Sequence, residues 1–230
     1  MKWNPEEIKK LSPILKQIEA DLKPLDGKKI LVLCSATGDI AFWLGEKMKR
    51  GQVIGLELND ELLNTAQIGV KKKGLENIIK FQKAEKYRIP YPDGAFDGLV
   101  SEFIIFPTST PTQIGQPEMA RVLKSHGKVI LTDVIAIRSL PTQKKVALQT
   151  IGLNYLCEAT QEDFQKWMEE AGFTDVKILD FTSTVKDVWM QRHEKAYTPE
   201  KKKAYSVLLT DPQFRLGKAI FYIYIRGEKP

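Results

Sequence analysis

The chain has 230 residues, of which 43% are hydrophobic and 28% charged, which suits one large α/β domain with enough apolar material for a sizeable core. Thirty-five Lys and Arg against 29 Asp and Glu leave a net charge of +6. The lysines sit in short scattered runs (71–73, 144–145, 201–203) that read as solvated faces, so a nucleic-acid partner is not expected.

No apolar run approaches the ~20 residues of a membrane span. The start, MKWNPEEIKKL, lacks the apolar core of a signal peptide, and a cytoplasmic location is expected. Two cysteines, Cys34 and Cys157, without C-x-x-C spacing exclude a disulfide framework or a structural zinc site. His126 and His193 have no second ligand at metal spacing, so no metal is assigned.

In chain order, residues 5–23 place Ile8, Leu11, Ile14, Leu15, Ile18 and Leu22 on one helical stripe, with Pro13 positioned to nick it. Pro24 and the turn at Asp26-Gly27 end that helix. Residues 28–59 then form a strand, tight loop, helix, strand unit. An apolar run at 30–33 leads into Cys34-Ser35-Ala36-Thr37-Gly38, a helical pattern over 39–49, and a second apolar run over 53–58 that carries Glu57 near its end. In such units the loop amides face a ligand and the acid accepts a ribose diol, which points to a nucleoside-containing cofactor.

Residues 60–73 are an amphipathic helix capped by Asn59 and ended by Gly74. Strands are expected at 78–82, 98–106, 128–137, 176–181 and 218–226, with a turn-rich loop at 83–97 and an irregular, proline-rich connection at 107–117. Short helices are expected at 118–124 and 160–172, the second opened by the Thr160/Asp163 capping box, and one or two helices over 138–158. Residues 182–217 read as a charged, aromatic segment with a helix near 199–209. Strands alternating with helices argue for a doubly wound, mainly parallel α/β sheet.

This order resembles the class I S-adenosylmethionine-dependent methyltransferases over most of residues 25–227. The resemblance rests on the loop at 34–38 with Asp39, VIGLELND with Glu57, AEKYRIPYPDGAFDGLVS, MARVLKSHGKVILTDV, EEAGFTDVKI and the closing KAIFYIYIRG. VIGLELND, MARVLKSHGKVILTDV and EEAGFTDVKI are similar to the small-molecule group that holds ubiquinone/menaquinone-type and arsenite methyltransferases. The stretch YLCEATQEDFQKWMEEAGF is most similar to the arsenite branch, although those enzymes use three or more cysteines and this chain has two.

The resemblance implies a Rossmann-like seven-stranded sheet with an antiparallel last strand, helices on both faces, and one domain over residues 1–230. Segments 1–24, 138–158 and 182–217 would serve as N-terminal helix and cap. It implies S-adenosylmethionine as cofactor and a small or lipid-like acceptor. Glu57 would take the ribose hydroxyls and Leu58 would flank the adenine. Ala84 and Glu85 would reach the ring nitrogens, with Lys83 where the family has an acid. Ser101 would lie beneath the methionine and sulfonium.

The loop Cys34, Ser35, Ala36, Thr37 and Gly38 would cradle the cofactor, but Cys34 and Ala36 stand where relatives carry glycine and Val32 where they carry an acid. Their Cβ atoms are expected to narrow the pocket or to force a different loop path. Methyl transfer relies on in-line positioning, and no catalytic residue is nominated. The acceptor pocket is expected between the N-terminal helix, residues 103–112 and residues 138–157, closed by the segment around Trp189 and 197–205. Rival readings are a protein-lysine or RNA methyltransferase, and a non-catalytic binding protein on the same fold. The oligomeric state is open, a homodimer included.

Overall fold

The computed structural model describes residues 4–85, 88–102, 114–154 and 156–230. Its elements run α1 (Pro5–Lys10), α2 (Ser12–Leu22), β1 (Lys29–Leu33), α3 (Asp39–Gly45), β2 (Gln52–Glu57), α4 (Asp60–Lys73), β3 (Ile79–Lys83), β4 (Phe96–Glu102) and α5 (Gln116–Val122). They continue with β5 (Leu123–Ala136), α6 (Thr142–Gln149), β6 (Cys157–Glu158), α7 (Gln161–Glu170), β7 (Thr174–Asp180), α8 (Thr182–Glu194), α9 (Pro199–Leu209) and β8 (Ile220–Glu228).

The sheet order is β3-β2-β1-β4-β5-β8-β7, with the two-residue β6 paired to β5. Strands β1 to β5 are mutually parallel, and β8 inserts antiparallel between β5 and β7. The expected topology is observed, with β6 as an additional short strand. The order reverses between β1 and β4, so the C-terminal ends of β1, β2 and β4 open a crevice at a topological switch point, where ligands of open α/β sheets bind.

The central strands are buried on both faces, and strand alternation sends their side chains into two cores. Val32, Val53, Phe81, Val100 and Ile130 meet α2, α3, α4, α8 and α9, whereas Leu31, Leu33, Leu99, Met119 and Phe164 form the core under α5 and α7. The periodic stripe at the N-terminus is delivered as two helices. Leu11 ends α1 and precedes α2, with Pro13 in the first turn of α2, where a missing N–H costs nothing.

Three expectations are corrected. Residues 138–158 form one helix, α6, and then β6, since Cys157 and Glu158 lie beside Ile135 and Ala136 on the growing sheet. Residues 182–217 hold two helices, because α8 buries Val185, Val188 and Trp189. Helix α3 is shorter than its pattern. Helices α6, α8 and α9 pack on one another and α1 packs on α8, so the N-terminal segment and both suspected cap segments form one assembly on the same side of the sheet. Residues 103–112, expected to line the acceptor pocket, lie outside the described residues.

Candidate cofactor and acceptor site

The loop after β1 keeps a glycine-type backbone without the glycines. Cys34, Ala36 and Gly38 have φ of 50°, 46° and 94°, so every second residue is left-handed. An L-residue in this region costs roughly 1–2 kcal/mol, and such conformations persist where surrounding contacts over-determine them. Here the Ser35 amide donates to the Leu56 carbonyl at 3.1 Å and the Gly38 amide to the Ser35 carbonyl at 2.7 Å. At Gly38 a side chain is excluded as well, since a Cβ would lie 2.6 Å from Cζ of Phe81.

Glu57, only 6% exposed, holds the same loop from the neighbouring strand. Its Oε2 accepts the Ala36 amide at 2.7 Å, and its Oε1 accepts the Asn59 amide at 2.8 Å. The Ala84 amide donates to the Glu57 carbonyl at 2.9 Å. The loop, the acid and the segment leaving β3 are thus joined by direct hydrogen bonds. Leu58 is exposed, and its carbonyl accepts Lys83 Nζ, which also pairs with Asp60 at 2.5 Å. The lysine in place of the family's acid therefore ties down the end of β2. Glu85 is exposed at the edge.

Ser101 is fully buried and follows Leu99 onto the α5 side of β4, so it lies in the sheet layer under the crevice. Among the described residues, the hydroxyls of Ser35 and Ser101 and both amide atoms of the fully buried Gln116 have no hydrogen-bond partner. Gln116 opens the helix after β4, and sequence reasoning missed it. A Pro follows it, and nothing in its local pattern separates it from an ordinary first-turn residue.

Beside the loop lies a cavity of about 30 Å³. Its roof is Ile8, Leu11, Ile14, Leu15 and Ile18 of α1 and α2, and its floor is Asp39, Ile40, Glu102, Thr132 and Tyr222. Asp39 accepts the Thr37 hydroxyl at 3.0 Å. Tyr222 lies 3.4 Å from Glu102 Oε1, and burial, with the Glu102 and Asp133 charges beside it, keeps its phenol protonated. Burial, followed by the charge of Glu57 and that of Glu102, pushes the Cys34 thiol up to about 12, so it is not a thiolate at neutral pH. Glu102, Thr132 and Tyr222 were missed as site residues. The signal available was a polar residue interrupting an apolar strand run, at Ser101-Glu102 and at Thr132-Asp133.

These features fit S-adenosylmethionine. The carboxylates around the crevice suit a cationic sulfonium and ammonium, and the buried hydroxyls of Ser35 and Ser101, unpartnered among the described residues, can hydrogen-bond a polar ligand. Each Glu57 oxygen has a second lone pair beyond its amide bond, which leaves capacity for ribose hydroxyls. Residues 12–150 match the ubiE/COQ5 methyltransferase family.

The chain belongs to the ubiE/COQ5 methyltransferase family. As a member of it, the chain is an S-adenosylmethionine-dependent methyltransferase. It is 26% identical over 180 residues to the ubiquinone/menaquinone biosynthesis C-methyltransferase UbiE of Shewanella frigidimarina, covering 69% of this chain and 71% of that one. It is 31% identical over 106 residues to the demethylmenaquinone methyltransferase of Thermus thermophilus, covering 46% and 47%. Among solved structures, the geranyl diphosphate C-methyltransferase of Streptomyces coelicolor superposes with a TM-score of 0.75 at 13% identity, covering 95% of this chain and 80% of that one. That likeness shows the fold. Among the described residues no helix of this ubiE/COQ5 family member is long and apolar enough to cross a membrane.

Proposed function

We propose that this enzyme transfers the S-adenosylmethionine methyl group to a small, lipid-like acceptor, and that it does so in the cytoplasm. The observation that carries this reading is the cavity, which begins at Asp39 and Ile40 just after the cofactor loop and is roofed by five aliphatic side chains of α1 and α2. Against that roof an apolar acceptor surrenders no hydration that the site must replace. The related UbiE of Shewanella frigidimarina, a C-methyltransferase of quinone biosynthesis, supports an apolar ring-bearing acceptor.

In this reading Cys34, Ser35, Ala36, Thr37 and Gly38 hold the methionine part, Glu57 and Leu58 the ribose and adenine, Ala84 and Glu85 the ring edge, and Ser101 underlies the sulfonium. The chain acts as one methyltransferase domain whose α1, α2, α6, α8 and α9 form the cap. Because the cavity is far smaller than any acceptor, α1 and α2 must shift for binding.

Isothermal titration calorimetry with S-adenosylmethionine and with S-adenosylhomocysteine tests the proposal, followed by transfer of labelled methyl to reduced short-chain quinones. Binding of both nucleosides and label in the organic phase are expected. A chain that binds neither nucleoside would overturn the cofactor site.

A further inference from the structure

We propose that Lys83 makes the base end of the cofactor site a hydrogen-bond donor, so that the enzyme binds the 6-oxopurine nucleoside S-inosylhomocysteine at least as tightly as S-adenosylhomocysteine. The inference rests on the methyltransferase reading above and deepens it at the same site, where the purine lies beyond the ribose toward Leu58 and Ala84.

Strands β2 and β3 end side by side, and their last residues, Glu57 and Lys83, stand opposite each other in register. A base that follows a ribose held at Glu57 toward β3 therefore meets Lys83 next. Side chains two apart on a strand share a face, so Lys83 follows Phe81 onto the side of the sheet covered by α3 and α4. There it emerges at the start of α4. Its Nζ donates to the Leu58 carbonyl at 2.7 Å and pairs with Asp60 Oδ1 at 2.5 Å. These two partners hold an exposed ammonium over the end of β2.

The other polar groups at this rim are largely committed. The Ala84 amide, at the proposed ring edge, donates to the Glu57 carbonyl at 2.9 Å. The Glu57 carboxylate takes the amides of Ala36 and Asn59, and the Gln82 side chain takes the Tyr91 hydroxyl. Asp60 and Glu85 carry carboxylates, but both residues are exposed, and water competes there for any hydrogen bond to a base. An ammonium has three hydrogens. Two of those on Lys83 are given to Leu58 and Asp60, which leaves the third for a ligand.

The two purines differ at one position. Adenine carries an amino donor at C6 beside the N7 acceptor, whereas hypoxanthine carries an oxygen acceptor beside the same N7. A lysine pairs with the O6 and N7 of a 6-oxopurine, and it meets the amino group of adenine donor to donor. Opposed donors leave both groups unpaired, and unpaired polar groups are the main source of discrimination between close analogues. Lys83 thus suits the oxo form. A deaminated thioether nucleoside is then an inhibitor of this enzyme at least as strong as its own demethylated product.

The test is isothermal titration calorimetry of the full chain with S-adenosylhomocysteine and with S-inosylhomocysteine. The wild type should bind the inosyl compound with a Kd equal to that of the adenosyl compound or up to about tenfold lower, the range of one hydrogen bond. Lys83→Asp replaces the donor with an acceptor and should invert the order, with the adenosyl compound tighter by about tenfold or more. Lys83→Met keeps the aliphatic stem without the ammonium, and it should weaken the inosyl compound alone. It also carries the test if the aspartate variant fails to fold.

A wild type that binds the adenosyl compound more than threefold tighter would overturn the proposal and leave the cofactor site standing. Folded Lys83 variants that keep the wild-type ratio of the two affinities would overturn it as well. A wild type that binds neither nucleoside would overturn the cofactor site itself.

Discussion

The Glu57 carboxylate accepts the backbone amide of Ala36 at 2.7 Å, so the acid of the second strand is also the clamp of the loop after the first. A group proposed to act on the cofactor's ribose thereby holds the loop proposed to receive the methionine. Truncating Glu57→Ala leaves the Ala36 and Asn59 amides without their acceptor. The expected outcome is a loss of about 1–3 kcal/mol in S-adenosylmethionine affinity, as for charged hydrogen bonds. Calorimetry should show it together with a lower melting temperature in the absence of ligand. An unchanged melting temperature would show that the clamp is dispensable.

The left-handed residues Cys34 and Ala36 make a second prediction. Glycine removes a strain of roughly 1–2 kcal/mol at such a position but gains unfolded-state entropy worth about 0.5–1 kcal/mol. Ala36→Gly should accordingly be neutral to slightly stabilising in urea titration. Ala36→Val, whose β-branched side chain tolerates positive φ poorly, should be clearly destabilised. Equal stability of the two variants would mean that the loop relaxes.

Gly55 lies in β2 under the ring of Phe81. A Cβ there would stand 2.2 Å from Phe81 Cδ1 and 3.1 Å from Ser35 Cβ. Phe81 is buried against Phe42, whose ring packs edge-on at 5.7 Å, so it has little room to retreat. Gly55→Ala should cost about 1–3 kcal/mol by overpacking and weaken cofactor binding through Ser35. A thermal melt and a titration check both parts.

Glu7 and Arg192 tie α1 to α8 through two parallel hydrogen bonds of 2.7 Å. Burial pushes the Glu7 carboxyl up, but the Arg192 hydrogen bonds, the Asn4 amide and the nearby Arg192 and Lys195 charges outweigh it and hold it below its ordinary value of 4.5. A carboxyl lowered by folding stabilises the fold at pH above its unfolded value, and that contribution is lost as pH falls through the lower, folded value. Unfolding free energy measured against pH should decline below 4.5 in the wild type, and less steeply in Glu7→Gln. Parallel curves would remove this pair from the acid response.

Much of the fold was legible because it is written in local patterns. The switch from short apolar runs to helical periodicity along 28–83 marked β1 to β3 with their helices, and the capping box at Thr160 located α7. The same local reasoning failed at 138–158, since a two-residue strand exists only through its neighbour, and at 182–194, where α8 has a weak stripe and is buried by the helices around it.

The sequence by itself determined the alternating α/β layout, the family, and the placing of Glu57 at the tip of β2, because each depends on residues close together in the chain. Only the tertiary structure decided that Cys34 and Ala36 keep a glycine-like path, since the restraint comes from Leu56 and Glu57 on another strand. It alone brought Glu102, Thr132 and Tyr222 to one cavity floor. Their meeting depends on β8 inserting beside β5, a pairing of strands far apart in the chain that no local pattern encodes.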